Sequence, residues 1–171
     1  MIYSSMNFGG ITMKENKFSW CIKQTRGLRL IEINHNLMDV YLRKSKSALN
    51  MLSAAMYKGE LEWVLDTSYY AKYFAIYALY MKVGIKCEIH DCTISSLKTL
   101  FADILPYSIC KELKESKELR VGALYYNKDF GKKQILARAN VTAEFCLNVE
   151  EAIKTITRED IIKIRKVFQN T

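Results

Sequence analysis

The sequence predicts an all-α protein, an antiparallel up-and-down helical bundle of four to five core helices followed by a short C-terminal helix. Three observations predict it. Half of the 171 residues are hydrophobic, enough for one domain to bury its own core. One proline and seven glycines leave few breaks, so the recurring Leu, Ile, Lys, Glu and Ala favour helix. Apolar residues also return by threes and fours along most of the chain, which is the spacing of one helix face.

Residues 1–35 read as an extension docked on the bundle, and residues 36–171 as the helical domain. The extension carries Gly9-Gly10 and a short alternating run, Leu28, Leu30, Ile31 and Ile33, more like an arm than a helix. From Asn36 the spacing is helical through Met38, Tyr41, Ser45, Ala48, Leu52 and Ala55, and this first long helix stops near Gly59. His35 just before it reads as a loop or cap residue.

The next helix carries three apolar stripes. Ser68, Ala71, Ala75 and Ala78 are small; Trp63, Tyr70, Phe74, Tyr77 and Met81 are large; Tyr69, Tyr73, Ile76 and Tyr80 form a third line. A helix apolar all round is buried, and a small-residue line lets a neighbouring backbone approach, so this helix is expected at the centre. Each buried tyrosine hydroxyl needs a partner, and a surplus of them suits a wet interface. The line Tyr69, Tyr73, Ile76, Tyr80 is therefore assigned to a homodimer or partner surface, with simple core as the alternative.

Gly84 is placed to stop this helix in a left-handed cap, with Asp91 or Thr93 capping the next one and His90 at its start. That third helix shows Ile94, Leu97, Phe101 and Ile104 on one face and is expected to end at Pro106. Residues 107–126 form a charge-rich helix with Lys111–Glu115 and Lys114–Glu118 pairs. After a turn at 127–131, one long helix is expected along Ile135, Arg138 or Ala139, Thr142, Phe145, Val149, Ala152 and Ile156. Thr157 and Asp160 resemble a capping box that opens a last helix through Ile161, Ile164 and Phe168.

A net charge of +8 spread over both halves of the chain favours polyanionic partners, although a solvated lysine-rich surface has the same total. The longest uncharged stretch near the aromatic helix, Tyr73 to Met81, is far short of a membrane span, and no export signal is evident. A cytoplasmic location without membrane contact is the expectation. Five scattered cysteines without a Cys-x-x-Cys read as free thiols rather than disulfides. Cys87, His90 and Cys92 do not have the spacing of a zinc site, so neither metal nor cofactor is expected.

Ser68-Tyr69-Tyr70-Ala71, the aromatic-alanine helix after it and Gly84-Ile85-x-x-x-x-His90 together resemble a HEPN domain over roughly residues 36–156, with Arg120 and Tyr125 or Tyr126 matching a later, weaker pattern. The resemblance implies a helical bundle that commonly dimerises. Many such domains are metal-independent ribonucleases or toxins, and others have lost catalysis. In the catalytic kind an Arg precedes the His with four to six residues between them. Here Val83, Gly84 and Ile85 occupy those places, and Lys82 and Lys86 are the nearest basic residues. Members paired with a minimal nucleotidyltransferase can be modified on a Tyr two residues after the His, a place held here by Cys92.

RNA cleavage through the ribose 2'-hydroxyl needs a proton acceptor and a cation for developing phosphorane charge. His90 and Lys86 are the candidates for those two roles. Lys82, and Lys128, Lys132, Lys133 and Arg138 close to Tyr125 and Tyr126, are candidate nucleotide or RNA contacts. The resemblance implies a toxin-antitoxin-like protein, a non-catalytic or weakly catalytic partner of a minimal nucleotidyltransferase. The alternative is a metal-independent ribonuclease using His90 in a symmetric dimer.

Overall fold

The computed structural model describes residues 17–126, 128 and 130–170. Gly9-Gly10 and part of the 127–131 turn lie outside them. The chain order is α1 (Lys17–Lys23), β1 (Arg29–Leu30), α2 (His35–Lys58), α3 (Leu61–Val83), β2 (Ile85–Lys86), α4 (His90–Leu100), α5 (Tyr107–Tyr126), α6 (Lys132–Asn140), α7 (Thr142–Thr155) and α8 (Arg158–Lys166), closed by a 3-10 turn. β1 and β2 form a two-stranded antiparallel ladder, with Arg29 opposite Lys86. The bundle is all-α, as the spacing of the apolar residues predicts.

Asn34 begins α2 by accepting the Leu37 N–H, and Gly59 ends it at φ 76°. Gly84 ends α3 at φ 70°. A side chain at Gly84 would also strike Arg165 and the Ile31 carbonyl, so both backbone angle and space demand glycine there. Arg165 of α8 donates to the carbonyls of Ile31, Val83 and Gly84 at 2.8–3.0 Å, tying α8, β1 and the end of α3 together.

α3 lies at the centre and packs on α2, α5, α6 and α7. At its small residues it is hydrogen-bonded to α2 and α7. Ser45 of α2 donates to the Ala71 carbonyl, and Ser68 meets Thr142 of α7 at 2.8 Å.

The tyrosine stripe needs a correction. Tyr69, Tyr73, Ile76 and Tyr80 are 0%, 5%, 0% and 0% exposed, so they form core rather than a surface open to a second molecule. The physical reason lies in their hydroxyls, for which the chain itself supplies partners. Tyr69 bonds His90, and Tyr80 donates to the Thr93 carbonyl and meets Ser96. Among the described residues every buried side-chain polar atom has a hydrogen-bond partner. The surplus of tyrosines joins α3 to the first turns of α4.

Four local expectations also change. Residues 17–23 are helical, where an irregular arm was expected. α4 ends at Leu100 rather than at Pro106, which instead precedes α5. Neither Asp91 nor Thr93 caps α4, because the helix already begins at His90 behind Ile89. The single long helix expected after residue 131 breaks at Val141 into α6 and α7. The Thr157–Asp160 capping box is present as expected.

The cysteines bring a further correction. Cys21 of α1 and Cys92 of α4 form a disulfide, while Cys87, Cys110 and Cys146 are buried free thiols. Two positions 71 residues apart in sequence are joined because α1 packs on α4, a long-range contact that no spacing rule exposes.

Candidate functional site

His90 starts α4 and is held from α3. Its Nδ1 is 2.7 Å from the Tyr69 hydroxyl, and its ring stacks on Tyr73 with centroids 4.0 Å apart. The Tyr69 side chain is fully buried and its hydroxyl has no other acceptor among the described residues, so the hydroxyl donates. Nδ1 therefore accepts, and a neutral His90 carries its proton on Nε2. Burial first, then the charges of Lys117 and Arg120, lowers the His90 pKa from its usual 6.5, against the opposing pull of Asp91. Burial likewise raises the Tyr69 pKa far above the usual tyrosine value, so the phenol stays protonated.

The cations beside His90 come from α5. Arg120 donates to Asp66 at 2.5 Å and to the Tyr70 hydroxyl at 3.3 Å, and its guanidinium lies over the rings of Tyr69, Tyr70 and Tyr125. Lys117 donates to Asp91 at 2.5 Å. Burial works against the Arg120 charge, but the hydrogen bond to Asp66, its negative charge and those of Tyr70 and Tyr125 together outweigh it and raise the pKa.

Lys86, expected as the partner of His90, is placed elsewhere. Its ammonium pairs with Glu88 at 3.1 Å, in an ion cluster with Arg26 and Arg29 that fastens the segment before α2 to the start of α4. The strand pairing of β1 and β2 sets that direction, since Lys86 sits opposite Arg29 and shares its carboxylate. Cys87 and Cys92 do not gather with His90 as ligands either, because Cys92 is bonded to Cys21 and the Cys87 thiol donates to the Ile89 carbonyl.

The five expected nucleotide or RNA contacts are not gathered in one place. Lys82 is half-buried in the last turn of α3 and takes no part in the His90 cluster. Lys132 and Lys133 are exposed at the start of α6. Arg138 is spent on structure, pairing with Glu112 and Glu115. Lys128 alone of the five reaches a groove of about 880 Å³ between α4 and α5, whose lining includes Asp91, the residue after His90. Lys17, Lys98, Lys111, Lys114 and Lys117 line the same groove against Asp91, Glu115 and Glu118, with Tyr107 and Tyr126 along it. Lysines with exposed aromatic rings between them suit an anionic polymer.

Two groups were missed in the sequence. Arg120 was visible only as part of a weak pattern. The other is Lys72, just before the uncharged stretch of α3, whose side chain is 0% exposed and bonds Glu112, Ser116 and the Arg138 carbonyl at 2.7–2.9 Å. A lysine in a helix apolar on every side was the available signal, since such a charge survives burial only with partners.

Stability is expected to rise with pH in two windows. The folded pKa of His90 lies below 6.5, so the unfolded chain takes up that proton first. This contribution is present above pH 6.5 and is lost as pH falls below it. The hydrogen bond from Arg26, then those from Arg29 and Lys86, pulls Glu88 down to about 2 from 4.5. Its contribution is present above pH 4.5 and is lost as pH falls through about 2. Urea midpoints measured across that range should lose the upper step in His90→Gln and the lower one in Glu88→Gln. An unchanged profile in both variants would refute the assignment.

Among the described residues no helix is long and apolar enough to cross a membrane. No curated protein matches the chain. A family model described as HEPN domain matches residues 38–160.

Proposed function

This chain belongs to the HEPN family, and from that premise we propose that it works by binding rather than by cutting. It holds a nucleotide or RNA phosphate where His90 meets the α4/α5 groove, and it acts as the non-catalytic or weakly catalytic partner of a minimal nucleotidyltransferase in a toxin-antitoxin-like pair. A homodimer is part of the same proposal, formed through a surface other than the buried tyrosine stripe.

One observation carries this reading. The Tyr69 hydroxyl occupies His90 Nδ1, so the neutral imidazole presents an Nε2–H donor and has no free nitrogen to accept a proton. A donor grips a phosphate oxygen, whereas cleavage needs a base. The nearby cations support the same view, since Arg120 and Lys117 are each engaged by a carboxylate, Asp66 and Asp91.

A second reading, a metal-independent ribonuclease, is favoured by the meeting of His90 with Arg120 from another helix, which supplies the cation absent from the usual motif. Incubating the full chain with RNA in EDTA separates the two. The expected result is no cleavage, with imidazole nitrogen resonances of the Nε2–H tautomer and weaker RNA binding in His90→Ala. Lys86→Ala should change neither property. Strong cleavage that falls ~100 to 10,000-fold in His90→Ala would install the ribonuclease reading. Co-purification from the native host tests the nucleotidyltransferase partner, and recovery of the chain without one would remove that part of the proposal.

A further inference from the structure

α1 has only seven residues, too few to hold a helix unaided, so its structure depends on docking. Phe18 packs edge-on against Phe168 near the C-terminus, and Cys21 is covalently bound to Cys92. Cys92 lies two residues after His90, in the first turn of α4. Lys17, the first residue of α1, lines the α4/α5 groove beside Asp91 and Ser95, and Ser95 Oγ stands 4.0 Å from Cys21 Sγ. The bridge thus adjoins the groove lining through Ser95, and α1 brings Lys17 to the same lining.

We propose that Cys21 and Cys92 form a redox latch on this groove. Closed, the pair holds α1 against α4 and keeps Lys17 at the groove edge. Open, α1 is free to leave α4, and the groove loses that wall and its charge. The other cysteines do not compete, because Cys87, Cys110 and Cys146 are separately buried and burial pushes the Cys146 thiol up to about 11.

Closing consumes a peroxide. One thiolate attacks a peroxide oxygen and the O–O bond breaks, leaving a sulfenic acid and releasing an alcohol or water once the leaving oxygen is protonated. The second thiolate then attacks that sulfur, the S–S bond forms as the S–O bond breaks, and the departing hydroxide takes up a proton to become water. Opening consumes a dithiol, whose first thiolate attacks one sulfur and whose second resolves the mixed disulfide. Two protons end on Cys21 and Cys92, and the dithiol becomes a disulfide. Both sulfurs are inaccessible in the closed state, so the dithiol enters when α1 locally opens. In a reducing compartment the latch rests open and closes on oxidation.

The effect on a ligand rests on the reading of the groove as an anion site, whereas the latch itself does not. The test uses the full chain after peroxide treatment, before and after dithiothreitol. Alkylation under denaturing conditions should find three reactive thiols in the oxidised chain and five in the reduced one. Amide exchange in residues 17–23 should quicken at least tenfold on reduction, with α3 and α7 unchanged. Cys21→Ser should exchange like the reduced chain under both conditions. A short fluorescent single-stranded RNA should bind roughly threefold more tightly to the oxidised form, the worth of one fixed surface charge. Five free thiols after peroxide, or α1 exchange indifferent to reduction, overturns the latch. If α1 responds while RNA affinity does not, the latch stands and the groove reading fails.

Discussion

Replacing Tyr73 with glutamate is expected to unfold the chain, with a loss of more than about 4 kcal/mol. Tyr73 is 5% exposed, its ring stacks on His90, and Tyr69 and Tyr77 stand within 6 Å of it, centroid to centroid. A carboxylate at that position is surrounded by aromatic rings, and it also removes the face on which the imidazole rests. Tyr73→Phe keeps the ring and is expected to lose only about 1 kcal/mol, the worth of one hydroxyl hydrogen bond. Urea unfolding followed by circular dichroism gives the stability, and sedimentation gives the mass. A Tyr73→Glu chain that stays folded while its mass falls by half would restore the stripe to a dimer interface.

Lys72→Met is the second large effect, about 3 kcal/mol of stability, or a fall in melting temperature of roughly 6–12 °C for a chain of this size. Methionine fills most of the lysine volume, so the loss reports charge and hydrogen bonding rather than a cavity. Burial lowers the Lys72 pKa, and the bond to Glu112 holds the charge in place against it. Without that ammonium, Glu112 keeps Arg138 and the Arg138 carbonyl keeps the Thr142 hydroxyl, but Ser116 loses the ammonium that donates to it. Pairing Lys72→Met with Glu112→Gln in a double-mutant cycle should give a coupling of about 1–3 kcal/mol. A single-variant loss below about 0.5 kcal/mol would mean that the network does not hold α3, α5 and α6 together.

The central place of α3 was legible because burial on all sides leaves a mark in every third and fourth residue. Both glycine stops and the Thr157–Asp160 box were legible for a related reason, since each depends on residues within one turn of each other. The break at Val141 was not. Ile135 and Ala139 before it and Thr142 and Phe145 after it are all buried, so the apolar line runs across the break without a phase change large enough to notice.

The candidate site divides in the same way. His90 at a helix start was legible from Gly84 and the spacing after it, and local sequence also made Lys86 look like its partner. Strand pairing turns Lys86 toward Glu88, and the packing of α5 on α4 brings Lys117 and Arg120 to His90 instead. By itself, then, the sequence determined the helices, most of their ends, the central helix and the position of His90, because these follow from periodicity and from caps a few residues long. Tertiary structure alone decided that the tyrosine stripe is core, that Lys72 can be buried, that Cys21 meets Cys92 and that Nδ1 of His90 meets the Tyr69 hydroxyl. Each of these depends on which distant group fills a hydrogen bond, neutralises a charge or stands within bonding distance, and a periodic pattern records that a side chain is covered without recording by what.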